Sequence, residues 1–175
     1  MTKTNNLVFK GLRVVAWIIF VGLCINAGAL IVNFAVSLIS PEFIPNLYEK
    51  LDLSAVRQQH QFGFYAIYNF ILLIAILKAV LFYIVVILMT KLDLSKPFNP
   101  FVANKIKKIS YITLSIGFIS YLVEEMVEKF IQTGTNLNEY WDGSTAYILM
   151  GAVIYIIAVI FRKGIEIQNE VDLTI

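Results

Sequence analysis

The chain has 175 residues, of which 59% are hydrophobic and 15% are charged, and its mean hydropathy is +0.77. Soluble domains are about 45–50% apolar and about 25% charged, so this composition excludes an ordinary water-soluble domain and indicates a protein embedded in lipid. The formal net charge of +2 is too small to indicate that the chain binds nucleic acid directly.

Four segments are long and apolar enough to cross a bilayer as helices, since about 20 helical residues span about 30 Å of hydrocarbon. The predicted spans are approximately residues 14–40, 62–89, 109–128 and 145–161. The first contains no charged residue, whereas the second contains Lys78 and the third meets Glu124 and Glu125. Helices satisfy their own backbone hydrogen bonds, which lipid cannot do. The sequence therefore predicts an all-α, integral membrane four-helix bundle formed by one four-span domain.

The lysines and arginines near the span ends predict how the chain is oriented, because cytoplasmic loops carry an excess of both. Ten lie on one side: Lys3, Lys10, Arg13, Lys91, Lys96, Lys105, Lys107, Lys108, Arg162 and Lys163. Three lie on the other: Lys50, Arg57 and Lys129. We therefore expect both termini to be cytoplasmic, with residues 162–175 forming a cytoplasmic tail.

The loop before the third span contains a helix start, Asn99 followed by Pro100. Asparagine favours the N-cap position, and proline favours the first position of a helix. The apolar face of this helix comprises Val102, Ala103, Ile106 and Ile109. The opposite face comprises Asn104, Lys105, Lys107 and Lys108. This pattern predicts a short amphipathic cytoplasmic helix, whose lysines either only fix the topology or form a docking or lipid-sensing surface.

Two conformations fit the C-terminal tail. Beyond Gly164 apolar and polar residues nearly alternate, which is typical of a half-buried strand. Alternatively the fourth helix continues, with Ile167 and Val171 four residues apart on one face. We favour a helix that ends near Gly164, because glycine commonly caps helix C-termini, followed by an extended segment. That segment is expected to pack on the protein's own basic loop or on a soluble partner. The acids that would pair with the loop are Glu166, Glu170 and Asp172.

Two cytoplasmic stretches resemble signatures of a known family. The first comprises Gly164, Gln168, Glu170, Asp172, Leu173, Thr174 and Ile175. These residues resemble the closing signature of the bacterial membrane-protein family DUF2975, which ends in Asp-Leu-Thr followed by Val or Ile. The second comprises Lys96, Pro97 and Phe98, and is similar to the family's Gly-Lys-Pro-Phe element. Ser95 stands where the family usually has that glycine.

The resemblance implies a small multi-pass protein of the bacterial inner membrane, often encoded beside a Cro-repressor-like helix-turn-helix regulator. It implies no activity, because the family is one of unknown function. The expected partner-docking residues are Lys96, Pro97, Phe98, Lys105, Lys107, Lys108, Gln168, Glu170, Asp172, Leu173, Thr174 and Ile175.

A small set of polar residues is predicted to lie inside the membrane. Lys78 is eleven residues from Met89. This separation corresponds to about 16 Å of helix and places the lysine near mid-bilayer. The residues expected at a similar depth, or one turn further out, are Asn26, Ser120 and Glu124. A charge at that depth costs about 2.5 kcal/mol or more, so it needs partners. The cluster either ties helices together, relays protons or ions, or lets the lysine reach toward the interface.

The sequence lacks the residue patterns that enzymes and metal sites require. His60 is the only histidine and Cys24 is the only cysteine, and they lie in different segments. A zinc site of the His/Cys type needs a cluster of such ligands. Walker, Rossmann and GxSxG motifs are missing from the sequence as well. We therefore expect no enzymatic activity, no cofactor and no metal site.

Two functions fit these features. The preferred one is a regulatory or interaction protein that presents the basic loop and the C-terminal tail to a cytoplasmic partner, such as a helix-turn-helix regulator. The alternative is a small transporter or channel subunit with a polar path around Lys78. Four helices of uneven length enclose little of a pore, so this alternative would also require a homo-oligomer.

Overall fold

A computed structural model of the protein describes residues 3–40, 53–92, 97–130 and 143–172. Within these residues every regular element is an α-helix, which confirms the predicted all-α class. The helices are α1 (Lys3–Ile39), α2 (Ser54–Gln59), α3 (Gln61–Lys91), α4 (Pro100–Phe130) and α5 (Ser144–Asp172).

Four of these helices are long and apolar enough to cross a membrane. The candidate spans are Val8–Ile39, Gln61–Lys91, Pro100–Val127 and Ser144–Glu170. Each overlaps one span predicted from the sequence, so the structure supports a multi-pass protein embedded in lipid. Many large apolar side chains point outward, for example Ile18, which is 66% exposed, and Ile160, which is 60% exposed. Such a surface is unfavourable in water, because hydrating apolar area costs free energy.

The long helices pack in chain order: α1 packs on α3, α3 on α4, and α4 on α5, while the short α2 packs on α3. Two hydrogen bonds join α1 to α3. Arg13 Nη2 donates to the Met89 carbonyl at 2.9 Å, and the Tyr68 hydroxyl donates to the Leu30 carbonyl at 2.9 Å. The start of α1 therefore meets the end of α3, so the two helices are antiparallel.

The buried core lies where α3 meets α1 and α4. Phe64 and Tyr68 of α3, and Ile116 and Val123 of α4, have no exposed surface. The Phe34 ring of α1 packs on Tyr68, with ring centroids 4.9 Å apart. Helix α3 also contains the most apolar 18-residue stretch of the candidate spans. Its composition matches its position between two neighbours, since a helix that is apolar all round belongs in the interior.

Helices α4 and α5 approach closely because glycine occupies two positions in their interface. A Cβ atom on Gly117 would stand 2.7 Å from the Ile148 backbone nitrogen, and one on Gly151 would stand 2.9 Å from the Leu114 backbone nitrogen. Neither distance leaves room for a side chain. Small residues at such positions let membrane helices pack backbone against backbone.

Helix α4 begins where the sequence predicts. The Val102 N–H donates to Asn99 Oδ1 at 3.0 Å, so Asn99 caps the helix and Pro100 is its first residue. The segment predicted as a short separate helix is the first part of α4, which continues without a break to Phe130. In this segment Val102 is buried, Lys108 is exposed, and Lys105, Ile106 and Lys107 are half-buried.

Helix α5 corrects the prediction for the C-terminal tail. The sequence favours a helix that ends near Gly164, but α5 continues to Asp172. That prediction, like the alternating strand, is therefore wrong for residues 165–172. The physical reason is that Gly164 does not cap the helix but lies against the Phe98 ring, where a Cβ atom would stand 2.8 Å from Cδ1. Residues 173–175 and Lys96 lie outside the described residues.

Candidate functional site

Most of the described cations lie at one end of the molecule, which we call the basic end. It comprises Lys10, Arg13, Lys91, Lys105, Lys107, Lys108, Arg162 and Lys163. Contacts between helix ends bring these segments together. Arg13 binds the Met89 carbonyl, and Lys91 Nζ lies 5.9 Å from the centre of the Phe101 ring. The start of α1, the end of α3 and the start of α4 therefore meet at this end.

An aromatic contact adds the end of α5 to the same surface. The Phe98 and Phe161 rings lie 5.2 Å apart between centroids, and Phe98 also covers Gly164. Phe98 is still 42% exposed, so part of its ring remains accessible, and Pro97 beside it is half-buried. Phe98 of the predicted docking loop thus contacts the end of α5 just before the predicted docking residues of the tail, which begin at Gln168.

Several lysines of the basic end lie over aromatic rings. Lys105 Nζ is 5.6 Å from the centre of the Phe101 ring, and Lys107 Nζ is 5.5 Å from the centre of the Tyr111 ring. At exposed sites such contacts are worth about 0.5–1 kcal/mol, enough to orient a side chain without fixing it. Sequence reasoning missed both aromatic partners. Their spacing of four residues from each lysine is the signal that could have identified them.

Helix α5 runs beyond its apolar segment, and we define residues 165–172 as the α5 extension. Ile167 is 60% exposed there, and Gln168 and Glu170 are exposed beside it. The side chain of Asp172 lies outside the described set, as do Leu173, Thr174 and Ile175. The extension thus combines acidic and polar residues with an exposed apolar side chain.

A cleft of about 390 Å³ lies between the start of α4 and the end of α5. Its cations are Lys107 and Arg162, and its acid is Glu166. If the tail packs on the basic loop, one of the two alternatives left open by the sequence, Glu166 is expected to pair with the loop lysines. In the structure its carboxylate instead accepts a hydrogen bond of 2.7 Å from Lys163 Nζ, three residues earlier in α5. A second groove of about 400 Å³ runs along α4 and includes Lys105, Lys107 and Lys108 in its lining.

Two of the four predicted intramembrane polar residues make separate contacts with α5. Lys78 Nζ lies 5.7 Å from the centre of the Tyr147 ring. The Ser144 hydroxyl donates to a Glu124 carboxylate oxygen at 3.1 Å. Lys78 and Glu124 therefore each have a partner on α5 that the sequence-based prediction did not include.

Both contacts lie toward the end of the protein opposite the basic end, because Ser144 and Tyr147 belong to the first turn of α5. The Lys78 side chain reaches toward that end, in the manner of lysines that extend to a membrane interface. The other predicted members are Ser120, which is 1% exposed on α4, and Asn26, which is half-buried on α1. The position of Ser144 at the start of the fourth span, facing the acidic end of the third, is a signal that could have identified it.

Comparison with known proteins identifies a family. A family model described as "Protein of unknown function (DUF2975)" matches residues 48–175. The matched region contains α2 to α5 and both of the stretches that resemble the family's signatures. No curated protein and no solved structure matches the chain.

Proposed function

The chain belongs to the DUF2975 family of proteins of unknown function, and we propose that it is a membrane-anchored interaction protein whose basic end docks a cytoplasmic protein. We place it in the bacterial inner membrane, with the basic end and both termini in the cytoplasm. This orientation is supported by the lysines and arginines that four helix ends bring together. Such an excess of cations is typical of the cytoplasmic side of a membrane protein.

The exposed apolar side chain on the α5 extension is the observation that carries the docking proposal. Ile167 is 60% exposed and follows Arg162 and Lys163, which mark the end of the apolar segment. It lies six residues beyond Phe161. Six residues correspond to about 9 Å along the helix axis. This distance places Ile167 at the outer limit of the hydrocarbon. Amphipathic helices bind grooves on partner proteins through exposed apolar side chains of this kind.

The contact of Phe98 with Gly164 makes the loop and the α5 extension parts of one surface. Because the ring also stacks on Phe161, the loop before α4 is held against the end of α5. A surface that is ordered before binding loses less conformational entropy when the partner docks. The nearby lysines of α4 then border a docking site whose shape is already set.

The partner that we propose is a helix-turn-helix regulator of the kind that the family resemblance implies. The α5 extension carries exposed Glu166 and Glu170. DNA-binding regulators carry basic surfaces, so these acids would attract a regulator to the α5 extension and not to the lysines around it. Docking at the membrane would hold the regulator away from its DNA, and its release would restore DNA binding.

Site-specific photo-crosslinking in full-length protein tests this proposal. A photoreactive residue at Gln168 should capture the purified regulator on proteoliposomes, whereas the same probe at Phe118, which is 60% exposed among the spans, should not. Ile167→Asn should lower the crosslinking yield at least about tenfold, because it removes the apolar anchor. Asn169→Ala, at an exposed polar position of the same helix, is the matched control. Capture that is independent of Ile167 would refute the proposal.

A transporter or channel subunit is the second candidate, and one observation favours it. Lys78 is a half-buried cation within a candidate span. Its contact with the Tyr147 ring fits a tie between helices equally well, so we rank transport behind docking. Flux in proteoliposomes that disappears on Lys78→Met would support this candidate, which also requires a homo-oligomer to enclose a path. Neither candidate involves an enzymatic activity, a cofactor or a metal.

A further inference from the structure

The cleft between α4 and α5 has the two-part lining that a phospholipid needs. Its polar wall includes Asn104, Lys107 and Arg162. Its apolar wall includes Tyr155, Ala158 and Val159. The change from one lining to the other occurs where the uncharged stretch of α5 ends at Phe161. This is the level at which lipid headgroups meet the hydrocarbon, and a volume of about 390 Å³ accommodates a headgroup with the upper part of an acyl chain.

The two cations of the cleft lie on the same side of an aromatic pair that joins α4 to α5. The Tyr111 and Tyr155 rings pair across the helices, with centroids 6.0 Å apart, and provide a common reference. Lys107 lies four residues and Arg162 seven residues from that pair, both toward the basic end. These separations correspond to about 6 Å and about 10 Å along the helix axes.

The direction of the two side chains follows from the helices that carry them. Side chains tilt toward the N-terminus of their own helix, and α4 and α5 run antiparallel. Arg162 therefore tilts away from the basic end, and the Lys107 amine also points that way, toward the Tyr111 ring one turn further along α4. The two cations line the same cleft from opposite helices, as two donors to one phosphate would.

The charges around the cleft favour an anion. Its acid, Glu166, is held by Lys163 at 2.7 Å, which offsets the negative charge. Lys107 Nζ lies 5.5 Å from the centre of the Tyr111 ring. That contact is weaker than a charge-assisted hydrogen bond to a phosphate oxygen, so it would yield to a bound phosphate. Arg162 adds a planar guanidinium, which suits two phosphate oxygens at once.

We infer that this cleft binds a single anionic phospholipid, with its phosphate between Lys107 and Arg162 and one acyl chain along Tyr155, Ala158 and Val159. Basic pockets between membrane helices on the cytoplasmic side suit such headgroups. The lipid would brace the end of α5 against α4, next to the α5 extension. The inference goes beyond the docking proposal and requires no protein partner.

The first experiment compares two lipids on the full chain purified in detergent. Thermal unfolding is followed while phosphatidylglycerol or phosphatidylcholine is titrated in. Phosphatidylglycerol should raise the unfolding temperature at concentrations at least about tenfold lower than phosphatidylcholine, because only the former has a net charge to pair with the cations. Equal effects of the two lipids would overturn the inference.

Two double variants with equal losses of charge locate the site. Lys107→Gln with Arg162→Gln should weaken the effect of phosphatidylglycerol at least about tenfold. Lys105→Gln with Lys108→Gln, in the neighbouring groove, should weaken it about twofold or less. Equal losses would show that general surface charge attracts the lipid and would overturn the inference. If the first double variant does not fold, Arg162→Gln alone replaces it, and an unchanged lipid affinity would be equally decisive.

Inorganic phosphate distinguishes a phospholipid from free phosphate. Phosphate at the same concentration should not stabilise the protein, because it lacks the acyl chain that the apolar wall binds. Stabilisation by phosphate as strong as that by phosphatidylglycerol would overturn the assignment to a lipid.

Discussion

Phe98 lies so close to Gly164 that a Cβ atom on the glycine would stand 2.8 Å from the Cδ1 atom of the ring. The same ring packs at an angle of 45° on Phe161, with centroids 5.2 Å apart. The contact joins the loop before α4 to the end of α5. A helix interior favours alanine over glycine, so the neighbouring ring, and not the helix, requires a glycine at position 164.

We expect Gly164→Ala to destabilise the protein, although the same change in an open helix stabilises by about 0.5–1 kcal/mol. The added methyl group must displace Phe98 from α5. Because a ring can move, the loss should lie at the lower end of the about 1–3 kcal/mol typical of overpacking. Unfolding of the purified protein by SDS in detergent micelles measures the free energy of unfolding.

Gly22→Ala is the matched control, because nothing lies within 4 Å of a Cβ atom at that position in α1. It should leave the free energy of unfolding unchanged or raise it. In a Phe98→Ala background, Gly164→Ala should no longer destabilise. If both glycine substitutions were stabilising in the original chain, the proposed contact would be wrong.

Gly151→Ala should be more damaging than Gly164→Ala. Its Cβ atom would stand 2.9 Å from the Leu114 backbone nitrogen, and a backbone cannot rotate aside as a ring can. We expect α4 and α5 to separate locally, with a loss at or above the upper end of about 1–3 kcal/mol. The same SDS titration applies, with Gly28→Ala as control because a Cβ atom there has open space. A loss no larger than that of Gly164→Ala would contradict the close packing.

Lys78 and Tyr147 should be energetically coupled. Their separation of 5.7 Å, amine to ring centre, lies within the range of cation–π contacts. A double-mutant cycle with Lys78→Met and Tyr147→Leu should give a coupling of about 0.5–2 kcal/mol in the free energy of unfolding. Tyr147→Phe retains the aromatic face and should preserve most of the coupling. Additive effects in the first cycle would show that the ring does not interact with the lysine.

Chemical labelling should place the basic end on the cytoplasmic side. We expect single cysteines, introduced into a Cys24→Ala background, to react with an impermeant maleimide according to their end of the molecule. In right-side-out vesicles a cysteine at Phe62, which is 84% exposed, should react at once. Cysteines at Lys108 and Gln168 should react only after the membrane is opened. If Lys108 and Gln168 were labelled from opposite sides of the membrane, they could not both belong to the basic end.

The features that the sequence predicts well depend on neighbouring residues. The length of each apolar segment identifies the four spans, because each segment must by itself be long enough to cross the hydrocarbon. The start of α4 is encoded in Asn99 and Pro100, which act on the helix that they begin. The clustering of lysines at one end follows from the same local counting, because antiparallel helices of similar length bring alternate loops together.

The features that the sequence does not predict depend on residues far apart along the chain. A glycine after an apolar segment predicts a helix cap. Only the contact with the Phe98 ring shows that Gly164 allows close packing instead. Likewise, a lysine within a span reveals its need for partners but not their identity. Tyr147 becomes the neighbour of Lys78 only when both α3 and α5 pack on α4. Packing, and not local preference, determines both outcomes.

Two hydrogen bonds between described residues of α1 and α3 end on main-chain oxygens, those of Met89 and Leu30. Every amino acid carries a backbone carbonyl, so these two positions can drift in evolution without losing either bond. The donors have no such freedom, because only certain side chains reach across. We therefore expect substitutions at the acceptor positions, Leu30 and Met89, to preserve these hydrogen bonds. Most substitutions of the donors, Arg13 and Tyr68, should remove them.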